Sequence, residues 1–315
     1  MCIKKLGLVD DTLEGLGTPK EYRRIKKSII WALSIYLIVI LTVSTTDSIW
    51  NVEKHNTIKA MIIPLVLGYP FHVNTLGDIM FAFILRYIGT RLDKINNYIE
   101  QLSGTEEYGL RCKWEKSFII RHVQSNENRK HVLWTVMHLH SELCRVARNI
   151  NDLFATQLTL QMISYFVILI VSFYVQYHMM LCLKQIYGSD SAKLKLVLAN
   201  DMWCMIFLTK FISLNHICES VSAKVEKTKA LTHKLTNLIR FTETRREIYQ
   251  FLLQISLRPM EFCGMGMFYF GYKFIYKFFM WILTVIIFIL QMDTSPMSRI
   301  LISDRINVTC FDRDV

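Results

Sequence analysis

The 315-residue chain has little glycine (12) and little proline (5). That excludes a collagen-like repeat and a low-complexity disordered chain. Charge is also scarce, at 20% of residues against 52% apolar ones. A soluble domain carries about 25% charge, so a soluble body of this length would leave much apolar surface in water. The mean hydropathy of +0.28 says the same. Paired cysteine motifs are missing: the eight cysteines, at 2, 112, 144, 182, 204, 218, 263 and 310, include no C-x-x-C. They read as small apolar fillers rather than a zinc or redox site. Met1 to Leu13 has no apolar core of a signal peptide, so none is expected. There is no H-E-x-x-H, G-x-S-x-G, G-x-x-x-x-G-K-[ST] or G-x-G-x-x-G. His138 and His140, two apart, point to different sides of a helix. No enzyme, metal site or cofactor is indicated.

What the chain does have is long apolar runs. A spanning helix needs about 20 such residues, and five segments qualify: A, about 28–43; B, about 60–88; C, about 154–176; D, about 196–214; and E, about 274–292. The fold class expected is an all-α polytopic membrane protein of one domain, with 293–315 as a tail. Segment B admits a break into two short helices near Gly68-Tyr69-Pro70. Asp78, Asp201 and Lys210 lie inside these segments, where charge is costly.

The net charge of +11 admits two explanations, a nucleic-acid surface or membrane orientation. Position decides between them. With the N-terminus cytoplasmic, 28 of the 37 Lys and Arg fall on the inner side and 8 on the outer, with Lys210 inside D. This is the positive-inside pattern. The cluster Lys20 to Lys27, beside segment A, is its clearest part. A plasma-membrane protein with an external C-terminus follows, and no nucleic-acid partner. Asn307-Val308-Thr309 is then a glycosylation sequon on the outer tail, or a chance tripeptide that is never modified.

The segments between spans are helical in pattern. Leu92, Ile95, Ile99 and Leu102 continue B as one amphipathic helix. A second stripe precedes C: Leu133, Val136, His140, Leu143, Ala147, Ile150 and Phe154. A third follows D: Val221, Val225, Leu231, Leu235 and Leu238. Either these stripes pack together as an intracellular anchor layer, within and between subunits, or they lie on the lipid surface.

Segment E carries the sharpest pattern. Thr284, six apolar residues and Gln291-Met292 resemble the signature of insect gustatory receptors, whose last helix reads Thr-Tyr, five hydrophobic residues, Gln-Phe. Val285 replaces the Tyr and Met292 the Phe. Three further stretches resemble the family: Phe262-Cys-Gly-Met-Gly-Met-Phe268 before the last span, Arg91-x-x-x-Ile-Asn96 after B, and Leu139 through Ile150-Asn151-x-x-Phe154 at the entry into C. The resemblance covers roughly Ser28 to Met292. The family has seven spans, so A to E would be its third to seventh, and the chain would be an N-terminally incomplete or divergent receptor.

The resemblance implies a taste receptor that is a ligand-gated, nonselective cation channel. It would be a homo- or heterotetramer with related receptors, each last helix lining the pore. An odorant-type receptor of the same architecture, a G-protein-coupled receptor and a non-functional receptor fragment are the alternatives. On E, Lys277, Trp281, Thr284, Phe288 and Gln291 share one face. A ring of Gln291 amides can replace part of a cation's hydration, and Phe288 or Met292 can close the pore by dewetting; otherwise Gln291 caps or snorkels at the outer interface. The implied pocket for a small-molecule tastant lies in the outer half of the spans before the last. That puts Tyr69, His72, Tyr165, Tyr174 and Trp203 among its candidate residues, with an aromatic belt or core packing as the other reading.

Overall fold

In the computed structural model the described residues are 2–16, 22–55, 59–111, 119–185, 191–238 and 242–294. They form seven helices: α1 (Cys2–Gly15), α2 (Tyr22–His55), α3 (Lys59–Arg111), α4 (Ile119–Gln185), α5 (Ser191–Leu238), α6 (Thr242–Leu257) and α7 (Tyr272–Thr294). Between α6 and α7 lies a small antiparallel hairpin of β1 (Cys263–Gly264) and β2 (Phe268–Tyr269), with Cys263 opposite Tyr269 and Gly264 opposite Phe268.

Four helices contain stretches long and apolar enough to cross a membrane: Tyr22–Thr46, Lys130–His178, Val197–Thr236 and Tyr272–Met292. Segments A, C, D and E fall in them. Segment B lies in α3; its side chains at 59–65 and 67 are outside those described. The break considered near Gly68-Tyr69-Pro70 is absent, because α3 runs through it as one helix. Pro70 removes a single amide donor, and α3 continues 41 residues beyond it to Arg111. The 67 residues of α4 give about 100 Å of helix, far more than the roughly 30 Å of a hydrocarbon core. The continuation of apolar stripes beyond the spans is therefore real helix.

The chain divides into two compact units. The first holds Met1–Thr159 and Leu214–Gly271, the second Leu160–Ser213 and Tyr272–Val315. In the first, the stripe read before C is buried throughout, from Leu133 to Phe154. Leu92, Ile95 and Ile99 of α3 are buried with it, as are Val221, Val225 and Leu235 of α5. On α5 the core face also takes Thr228, Thr232 and Thr236, while Leu231 is only half-buried. The Thr232 and Thr236 hydroxyls each donate to the carbonyl four residues back, so they enter an apolar core already satisfied, while Thr228 shares its proton between the Lys224 carbonyl and a partner on α3.

The helix α1 had no counterpart in the apolar pattern. Leu6, Val9 and Leu13 are its buried face. The chain leaves α6 at Leu257, just before Arg258-Pro259, where proline disfavours helix in the residue before it.

In the second unit Phe211 and Phe278 stack with ring centres 4.3 Å apart, and Phe274, Phe279 and Phe166 surround them. Cys144, Cys204 and Cys218 are free and buried, as small apolar fillers would be.

Candidate functional site

The last helix shows two faces. Phe274, Phe278 and Ile282, spaced by four, are buried. Lys277, Trp281, Thr284, Phe288, Gln291 and Met292 are all exposed on the single chain. The Thr284 hydroxyl donates to the Met280 carbonyl at 2.9 Å. Val285, Ile286 and Ile289 are half-buried beside the core face, while Ile287 is exposed. The face read as pore-lining is thus uncovered by its own subunit, and it carries polar and aromatic groups in alternation along the helix.

Of the five pocket candidates, three lie in the second unit and two in the first. Tyr165 and Trp203 meet through Phe207, which sequence reasoning did not single out: Tyr165 lies 5.4 Å from it and Trp203 stacks on it at 5.9 Å. Tyr165 is buried and receives a hydrogen bond from the Gln161 amide. Lys210 stands with its ammonium 5.7 Å from the centre of the Tyr165 ring. A cation over an aromatic face is one way for an apolar segment to carry a lysine. Tyr174 packs on His178 at 4.4 Å, together with Tyr177.

The other two candidates belong to the first unit. The Tyr36 hydroxyl lies 3.3 Å from His72 Nδ1 and donates to the His72 carbonyl at 3.4 Å, joining α2 to α3, and Tyr69 is exposed. The sequon at Asn307 lies outside the described residues.

Arg91, Asn96 and Asn151, which enter above through the family resemblance, and Ile150 and Phe154, which also belong to the apolar stripe, each have a physical role in the first unit. Arg91 pairs with Asp10 of α1, Nε to Oδ1 at 2.6 Å, and both side chains are almost fully buried. Tyr22 donates to the same carboxylate at 2.6 Å and Tyr87 donates as well. Burial pushes the Asp10 carboxyl up, but the hydrogen bonds from Arg91, Tyr22 and Tyr87 and the Arg91 charge outweigh it. The net result is a carboxyl held below the usual range.

Asn96 donates to the Lys224 carbonyl at 3.0 Å and accepts from Thr228 at 2.7 Å, fixing α3 against α5. Asn151 accepts from the Cys263 amide at 3.2 Å, tying the hairpin to α4. Ile150 is buried, and Phe154 lies 5.3 Å from Phe81. Asn215, fully buried on α5, accepts from the Gly271 amide at 2.9 Å. A polar residue interrupting an apolar stripe was the signal available for Asn96, Asn151 and Asn215. None was available for Asp10, whose partner is 81 residues away.

These features define an all-α, multi-pass membrane protein. A profile of the 7tm chemosensory receptors matches residues 2–295, so the chain belongs to that family of receptors, which is not an enzyme family. A curated relative from Drosophila melanogaster, "Putative gustatory receptor 28b", is 20% identical over 285 residues. The match takes 85% of this chain and spans 58% of that relative's length. Among solved structures the chain is similar to the insect olfactory receptor OR5 from Machilis hrabei, with a TM-score of 0.54 at 13% identity, covering 92% of this chain and 77% of that one. The same receptor in complex with eugenol gives a TM-score of 0.55 at 14% identity, covering 91% and 74%. At these identities the likeness is one of fold.

Proposed function

We propose that the chain is a subunit of a ligand-gated, nonselective cation channel of the taste-receptor type. Four subunits surround a central pore, and α7 of each lines it. The observation that carries this reading is the uncovered face of α7, where Lys277, Trp281, Thr284, Phe288 and Gln291 are exposed together. A lipid-facing helix would gain nothing from lysine, threonine and glutamine on one stripe, and charge there is costly. Around an axis, the Gln291 amides offer carbonyl oxygens to a passing cation without the tight grip of a carboxylate, and Phe288 and Met292 supply an apolar constriction.

The excess of Lys and Arg on one side supports a cytoplasmic N-terminus and an external C-terminus. The small-molecule stimulus is assigned to the outer parts of the helices before α7. In the second unit the candidates are Tyr165, Phe207 and Trp203, which form an aromatic cluster, and Tyr174; in the first they are Tyr69 and His72. The complex of OR5 with eugenol supports an odorant-type ligand as the second reading, since an aromatic wall suits such a molecule as well as a tastant.

The test is ion flux in cells expressing the chain, alone and with related receptors. Gln291→Ala is expected to change relative permeability among monovalent cations without changing the stimulus concentration for half-activation. Unchanged permeability in a working channel would remove Gln291 from the pore.

A further inference from the structure

The hairpin between α6 and α7 is unusual in composition and in backbone. From Phe262 to Tyr272 the sequence has no charged residue, and the turn side chains Met265 and Met267, with Tyr269, are 58–63% exposed. The turn closes with the Met267 amide on the Gly264 carbonyl at 2.9 Å. Both of its central residues have positive φ, Met265 at 48° and Gly266 at 75°. That turn type favours Asn or Gly at its first central position. A large apolar side chain is therefore held in a left-handed backbone and pointed outward. Such a backbone persists only where the surrounding structure holds it.

Position along α4 says what the turn meets. At its base the segment is polar: Arg258 and Glu261 are exposed, Arg148 of α4 donates to the Arg258 carbonyl at 3.4 Å, and Asn151 holds Cys263. From there the hairpin climbs α4 toward Thr159. A Cβ on Gly264 would stand 2.7 Å from the Thr159 hydroxyl, so only glycine permits this approach. Thr159 is five residues past Phe154, the start of span C, which is about 8 Å of helix. Interfacial elements bury their apolar side about 5–10 Å into the headgroup and acyl boundary. Below that depth an irregular backbone in lipid must satisfy its own polar groups. This hairpin largely does so through its strand pairing and the Phe270 amide on the Phe262 carbonyl at 2.8 Å.

We propose that the Cys263–Tyr269 hairpin is a shallow membrane wedge, with Met265 and Met267 inserted among the lipids of the leaflet where span C begins. The proposal rests on reading 154–176 as membrane-spanning. The partner is the lipid bilayer itself rather than a second copy of the chain.

The experiment is photo-cross-linking of the full chain in membranes, with p-benzoylphenylalanine placed in turn at Met265, Met267 and Val167. Val167 is an exposed residue of span C and reports the span reading by itself. Lipid adducts at all three positions are expected, with loss of the Met267 adduct when Met265→Asp is added. Chain-to-chain adducts at Met265 and Met267, or no adduct there while Val167 labels lipid, would overturn the wedge alone. No lipid adduct at Val167 would overturn the span reading and the wedge with it. Met265 and Met267 are both exposed, so a probe at one position guards against misfolding caused by the other.

Discussion

In the unit made of Met1–Thr159 and Leu214–Gly271, helices are joined by buried polar pairs: Asp10 with Arg91, Asn96 with Thr228, Asn151 with Cys263, Asn215 with Gly271. In the unit made of Leu160–Ser213 and Tyr272–Val315, Asn200 ties α5 to the Ser172 carbonyl and the Gln176 side chain of α4, but most described contacts are ring on ring, with Phe211 against Phe278, Phe274 and Phe279, and Tyr165 and Trp203 against Phe207. Hydrogen bonds are directional and fix one register, because a slipped register leaves a buried polar atom unmade at a cost of about 1–3 kcal/mol. Aromatic faces are worth about 0.5–1.5 kcal/mol per pair beyond burial, and they tolerate offsets. The first unit thus leans more on contacts that fix one arrangement, and the second more on contacts that can adjust. In a channel, the part that senses and opens belongs with contacts of the second kind.

The largest expected effect breaks the polar side of this contrast. Arg91→Ala leaves Asp10 buried without its cation and is expected to cost about 3–5 kcal/mol. Thermal unfolding of the detergent-purified chain measures it. Replacing both partners with apolar residues, Asp10→Leu with Arg91→Met, should recover much of the loss. If the double variant is as unstable as the single one, the pair holds more than charge.

Next in size is acid sensitivity. Asp10 is held below the ordinary carboxylate range. Its contribution is therefore complete above about pH 4 and is lost as pH falls through its lower folded value. The melting temperature should drop on that limb, and the Asp10→Asn chain should show a flatter one. Parallel limbs in the two chains would place the acid response elsewhere.

The smallest effect tests the aromatic side. Phe211→Leu keeps the core apolar but removes the ring contacts with Phe274, Phe278 and Phe279, each worth about 0.5–1.5 kcal/mol, so it should cost about 2 kcal/mol. It should also shift the stimulus concentration for half-activation. A large stability loss would show that the rings, too, specify a single register.

Much of the fold was legible in the sequence because it follows periodicity. The stripe from Leu133 to Phe154 is buried residue for residue, and the run after B is one helix with it. The stripe after D was only partly legible. Threonines that bond their own helix occupy places a hydropathy pattern assigns to leucine, as at Thr228 and Thr232 against Leu231. Helix α1 was not legible, since a carboxylate on its buried face contradicts the pattern until Arg91 is placed beside it. The face of α7 could be read from its three-and-four spacing, and it is the exposed one. Phe207 and Phe211 could not be told from other apolar span residues, because their importance lies in rings that arrive from elsewhere in the chain.

Neither α4 nor α5 contains a single glycine or proline across 67 and 48 residues. Mechanically they are struts of about 100 Å and 70 Å with no built-in joint. A push on one end of such a strut is passed on as a shift or rotation of the whole rod. Between Arg258 and Gly271, by contrast, Pro259, Gly264, Gly266 and Gly271 stand within fourteen residues of each other. Strain travelling along the struts would be released there, at the step that leads into the last helix.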